Sequence, residues 1–205
     1  MMNSYILRPS FWGREVKHRY IHNDSASLVV IFPGKNYSCE LPLLYYASQS
    51  AIEHNHDILL LEYGYQSARV ELEFEALSVL VDECTQAIIQ IMASYDNLIF
   101  VSKSLGTIVA GQVAEAIDNK GIRHVYLTPL DETVPYIQHA RGIVVYGTQD
   151  RLFSKQSIQA IEGLNNIEVH AIEEGTHALE VGTVRGSLII MNAIVDIYDS
   201  FFQSE

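Results

Sequence analysis

The stretch that decides the fold is Asn97-Leu-Ile-Phe-Val-Ser102-Lys-Ser104-Leu-Gly106-Thr-Ile-Val-Ala-Gly111. Leu98 to Val101 is an apolar, β-branched run of the length of a buried strand. Residues 107–117 read as a helix, with small side chains at Ala110, Gly111, Ala114 and Ala116. Only four or five residues turn the chain between the two, which forces the central one into a strained conformation. Ser102 and Gly106, two positions to either side of Ser104, are small enough to keep strand and helix from colliding. The expected result is a Ser104 hydroxyl standing clear of the backbone at the positive end of a helix. A strand, a serine-rich turn and a helix N-cap without chemistry would use the same letters, so the rest of the chain must decide.

Working outward, strand and helix patterns alternate. Residues 27–32 form an apolar run closed by Pro33-Gly34, which predicts a buried strand and a sharp turn. Residues 41–54 are helical in composition, and 57–63 is the next buried strand. Residues 71–95 give the clearest helix, with Leu77, Leu80, Val81, Cys84, Ile88, Ile91 and Met92 on one face. Glu71, Glu73 and Glu75 are expected in its first turns, where negative charge is favoured. Downstream, strands are predicted at 122–127, 142–146 and 167–172, and helices at 131–140, 154–164 and 182–202. Upstream, 14–21 fits an edge strand. Apolar strands joined by helical crossovers indicate an α/β fold: three layers, a mainly parallel sheet with helices on both faces. At 205 residues this reads as one domain, 1–205, without an insertion long enough to form a cap.

Composition narrows the function classes. The net charge of −12 and the absence of a Lys/Arg run argue against nucleic acid and phosphate-rich surfaces. The longest apolar candidate for a membrane helix, 187–202, carries Asp196 and Asp199, so no membrane partner is expected. The N-terminal residues lack the apolar core of a signal peptide. Two cysteines, Cys39 and Cys84, suggest no disulfide framework, which points to a reduced, cytoplasmic protein. His54-Asn-His56-Asp57 faintly suggests a metal motif, but it sits at a helix end without further ligands at usable spacing and reads as structural. Neither G-x-G-x-x-G nor the P-loop pattern occurs. No metal or cofactor is implied.

In open parallel sheets, reactive groups collect past the carboxyl ends of the strands. There the chain has Pro33-Gly34-Lys35-Asn36, then Ser104, Asp150 and His177. A serine hydroxyl needs a base to become a nucleophile, and a neutral imidazole can take its proton and return it to a leaving group. A carboxylate on the other ring nitrogen fixes the tautomer. Asp150 would equally close a Gly-Thr-Gln-Asp turn, and His177 would equally serve as a loop histidine. Asp131, past the preceding strand, is an alternative acid. Tyr63 and Tyr65, past another strand end, are candidates to line a substrate pocket.

The elbow at Ser102-Lys-Ser104-Leu-Gly106 resembles the G-x-S-x-G nucleophile elbow of the α/β-hydrolases, with serine in place of the first glycine. The order Ser104, Asp150, His177 is also that of the family. The resemblance extends from about residue 25 to 202 and is to small, lid-free members of the dienelactone-hydrolase-like or esterase-like kind. It implies a serine hydrolase acting on an ester, thioester or related acyl bond of a small-molecule substrate. Ser104 would attack, His177 act as base, and Asp150 orient it. One oxyanion-hole amide would be that of Leu105. The other would come from the loop after Gly34, with Lys35 the first candidate and Asn36 the second. Many members have His-Gly where this chain has Pro33-Gly34, which leaves that assignment open. An acyltransferase using the same triad, or a binding protein on the same scaffold, remains an alternative.

Overall fold

The apolar run at 98–101 lies at the centre of an eight-stranded sheet, and everything that builds the site is arranged around it. The computed structural model describes residues 2–119 and 121–203. The expected limits of the domain, 1 and 205, fall outside them. The strands are β1 (Met2–Pro9), β2 (Glu15–His22), β3 (Ser27–Phe32), β4 (Asp57–Leu60), β5 (Asn97–Lys103), β6 (Arg123–Leu127), β7 (Arg141–Gly147) and β8 (Ile167–Ile172). Their order across the sheet is β1-β2-β4-β3-β5-β6-β7-β8, with β2 running against its two neighbours and β4 to β8 parallel.

The helices are α1 (Pro42–Glu53), α2 (Gly64–Ala68), α3 (Leu77–Met92), α4 (Leu105–Ala116), α5 (Val134–His139), α6 (Lys155–Ile161) and α7 (Val184–Gln203). Alternate residues along each central strand face opposite layers. Val29, Ile31, Ile99 and Val101 pack with Leu43, Leu44 and Ala47 of α1 and with Ile194 and Tyr198 of α7. Leu28, Val30, Leu98 and Phe100 pack with Leu80, Cys84 and Ile88 of α3 and Val109 and Val113 of α4. With both faces covered, β3 and β4 are buried at every position. The result is the three-layer α/β architecture expected. Among the described residues no helix is long and apolar enough to cross a membrane.

Two expectations change. Strand β2 is not the edge: β1 pairs with it along eight positions and takes that place. Pro9 and Gly13 bound the hairpin turn between β1 and β2, in which Gly13 has φ 75° and its N–H donates to Ser10 O at 3.0 Å. Only Ile6 of β1 is buried, so the strand carries almost no hydrophobic period. Helix α3 begins at Leu77, leaving Glu71, Glu73 and Glu75 ahead of it. Val70, Leu72 and Phe74 alternate with those glutamates at a period of two, and the three-and-four spacing starts only afterwards.

Candidate active site

Strand β5 ends at Lys103 and α4 starts at Leu105, so the turn between them is Ser104. Its backbone sits at φ 52° and ψ −121°, a conformation that costs a side-chain-bearing residue on the order of 1–3 kcal/mol. Hydrogen bonds hold it there: Ser104 N–H donates to Leu127 O at 3.0 Å, and Thr107 N–H and Oγ1 donate to Ser104 O at 2.8 and 2.6 Å. Helix α4 starts hard against the end of β3. A Cβ on Gly106 would lie 2.5 Å from Pro33 O and 2.6 Å from Phe32 O, so glycine alone fits. Ser102, where the hydrolase pattern has glycine, is fully buried, and its Oγ donates to Val125 O on β6 at 3.3 Å. The extra hydroxyl is therefore satisfied without disturbing the turn.

The exits of β7 and β8 bring the acid and the imidazole to this serine. Thr148 N–H donates to Ile172 O and Gln149 N–H to Gly175 O, each at 2.9 Å. Gly147 packs against the Gly175 backbone with no room for a side chain. His177 Nε2 then lies 2.8 Å from Ser104 Oγ, and His177 Nδ1 lies 2.8 Å from Asp150 Oδ2. The Asp150 carboxylate is wholly buried, and its other oxygen accepts from Leu152 N–H at 2.9 Å. A carboxylate only accepts, so Nδ1 carries the ring proton and Nε2 is left to accept from the serine hydroxyl. Ser104 and His177 are both half-buried, which leaves the oxygen within reach of a substrate.

The loop after β3 closes the other side. Gly34 and Tyr37 pair across a tight turn, with Gly34 N–H to Tyr37 O at 2.9 Å. Gly34 itself lies against the elbow, since a Cβ there would be 3.6 Å from that of Ser104. Gln66 Nε2 donates to Gly34 O at 2.8 Å and to Lys35 O at 2.9 Å, and Tyr65 OH donates to Lys35 O at 2.7 Å. In a trans peptide the N–H points opposite the carbonyl. Anchoring both carbonyls on α2 therefore turns the Lys35 and Asn36 amides away from that helix. Leu105, as the first residue of α4, has an N–H with no acceptor inside the helix.

The tyrosines do not both line a pocket. Tyr63 is fully buried in the core beneath α3, where its bulk fills space between β4 and that helix. Tyr65 braces the Lys35 turn and borders a cavity of about 510 Å³ with Lys35, Asn36, Leu41 and Arg69. Asp131 is exposed, and the carboxylate on the imidazole is that of Asp150. Its Oδ1 accepts from Ser154 N–H at 2.7 Å and Ser157 Oγ at 2.6 Å, at the start of α6. His54 faces Asp199 at 3.5 Å, while Asp57 bonds His22 and Tyr95, so the His54/His56/Asp57 run does not converge.

Two residues at the site had no sequence reading. Gln66 holds the turn after Gly34, as described. Lys103, next to the serine, is 3% exposed, and burial, partly offset by the Asp150 charge, lowers its pKa to about 8. A lysine closing an apolar strand run is itself an anomalous signal.

The fold has close counterparts among solved structures. The chain matches an alpha-beta serine hydrolase homologue from Coxiella burnetii at TM-score 0.73 and 11% identity, covering 98% of this chain and 97% of that one. It matches a Pyrococcus furiosus esterase at TM-score 0.69 and 11% identity, over 98% and 93% of the two chains. A dienelactone hydrolase from Anabaena variabilis gives TM-score 0.69 and 14% identity, with 98% of each chain covered. No family model and no curated protein sequence matches. The chain has an α/β-hydrolase-like fold.

Proposed function

We propose that the protein is a serine hydrolase that cleaves an ester, thioester or related acyl bond of a small molecule through an acyl-enzyme. The observation that carries this reading is the unbroken line from Asp150 through His177 to Ser104, with both contacts at 2.8 Å. His177 takes the Ser104 proton as the oxygen attacks the acyl carbon, and Asp150 stabilises the imidazolium. The tetrahedral oxyanion is received by the amides of Leu105 and of the Lys35–Asn36 turn. Collapse expels the leaving group with the proton from His177, and water then repeats the sequence on the acyl-enzyme. The buried free thiols of Cys39 and Cys84 fit a reducing, cytoplasmic setting.

A fluorophosphonate probe tests the reading. The unaltered protein should label and Ser104→Ala should not; equal labelling of the two would end the assignment. Product analysis with an added alcohol or thiol beside water distinguishes hydrolysis from acyl transfer by the same residues.

A further inference from the structure

Lysine is among the residue types least often found fully buried, yet Lys103 extends inward beneath the site. Its Nζ donates to Thr128 Oγ1 at 3.1 Å and to the His177 backbone carbonyl at 3.2 Å. It also lies 4.7 Å from the centroid of the Tyr37 ring. These partners come from three different loops: the turn after β3, the exit of β6 and the exit of β8. The last carries the imidazole. Thr128 is itself held at φ 42°, with its N–H donating to Val145 O at 2.8 Å, so the acceptor is fixed in place. Hydrogen bonds from an ammonium are roughly twice as strong as neutral ones.

Resting on the hydrolase reading, we propose that Lys103 is a positioning residue: its ammonium clamps the His177 backbone to the serine elbow, and loss of its charge sets the alkaline end of the active pH range. The charged and titratable groups facing it are few. Asp150 faces it from the turn after β7 and favours its charged form. His177 faces it from the exit of β8, and Tyr37 from the turn after β3, with Glu180 acting on Tyr37 from farther out. Burial is the larger influence and opposes the charge, so the proton leaves near pH 8 rather than 10.5. Once it has gone, the bond to the His177 carbonyl loses its charge assistance. The attraction to Asp150 disappears as well, and the imidazole is less firmly held over Ser104.

The test is the rate of fluorophosphonate labelling from about pH 6 to about pH 10, with Lys103→Met and Thr128→Val beside the unaltered chain. The unaltered protein should lose reactivity with a midpoint near pH 8. Lys103→Met should label more slowly, on the order of 10²-fold for a base displaced by about 1 Å, and should show no such fall. Thr128→Val removes one acceptor from the ammonium and should move the midpoint to lower pH, an arm that holds even if Lys103→Met does not fold. A flat profile for the unaltered protein would overturn the proposal, as would a Lys103→Met profile with the same alkaline fall or an unmoved midpoint in Thr128→Val. Any of these with Ser104-dependent labelling intact leaves the hydrolase reading standing. No labelling of the unaltered protein at any pH removes both.

Discussion

Lys103 should make the folded protein gain stability as the medium turns alkaline. In the open chain its proton leaves at the ordinary value of 10.5, and in the fold at about 8, because burial disfavours the charge more than Asp150 favours it. Between those values the unfolded chain binds more protons than the native one, so stability rises with pH. At about 1.4 kcal/mol for each pKa step, the full effect is about 3.5 kcal/mol. Integrated only from about pH 7 to about pH 9.5, it comes to about 2 kcal/mol. The upper bound stays below the ordinary tyrosine value of 10.0, where ionisation of Tyr63, Tyr126 and Tyr198 on unfolding would pull the other way. The Cys39 and Cys84 thiols, raised by burial from the ordinary 9.0, already pull that way inside the range, and do so equally in both proteins. Urea unfolding at several pH values, for the unaltered protein and Lys103→Met, cancels whatever the two share. The sign of their difference at one pH is not diagnostic. Methionine removes a desolvated charge but strips a donor from Thr128 Oγ1 and His177 O. The diagnostic quantity is how the difference changes with pH. It should move by about 2 kcal/mol in favour of the lysine protein over that range. A difference constant to within about 0.5 kcal/mol, or one moving the other way, would refute the argument from burial.

Four other outcomes follow. Asp150→Asn should lower turnover roughly 10³-fold or more by leaving the imidazole in the wrong tautomer. Asp131→Ala should leave turnover nearly unchanged while costing about 1–2 kcal/mol from lost bonds at the start of α6, a contrast read by steady-state kinetics and thermal melts. Gly106→Ala should destabilise by about 1–3 kcal/mol and depress labelling of Ser104 together with it, because the new Cβ would meet the Phe32 and Pro33 backbone carbonyls, which cannot swing aside as a side chain would. Asp57→Asn should weaken the acid side of the stability profile. Burial raises the Asp57 pKa, but bonds from Tyr95, the Asn23 N–H, His22 and the Ser25 N–H outweigh it and leave the value depressed. Its stabilisation is therefore present above the ordinary 3.8 and fades as pH falls through the native value, so melts taken down to about pH 2 should lose their steepest decline in the variant.

The readable parts of this chain are those where one local rule acts alone. The parallel strands announce themselves because burial on both faces demands unbroken apolar runs, as at 27–32 and 98–101. Ser104, Asp150 and His177 are legible because strand ends are legible, and each follows one. β1 was invisible for the converse reason: an outer strand burying only Ile6 has no pattern to show. Asp131 and Asp150 look alike in sequence, each an acid past a strand. What separates them is where hydrogen bonds between neighbouring loops pull the chain, and the Gln149–Gly175 bond exists only in three dimensions. His22 meets Asp57 only because β2 lies beside β4, across 35 positions of chain. Lys103 is the sharpest case. As a letter closing an apolar run it is anomalous, but its meaning depends on Tyr37, Thr128 and His177 arriving from distant turns. Tolerating a desolvated charge at that point makes sense only if a nonpolar side chain of similar length, which would fill the same volume at lower cost, would fail to hold the imidazole where the serine needs it.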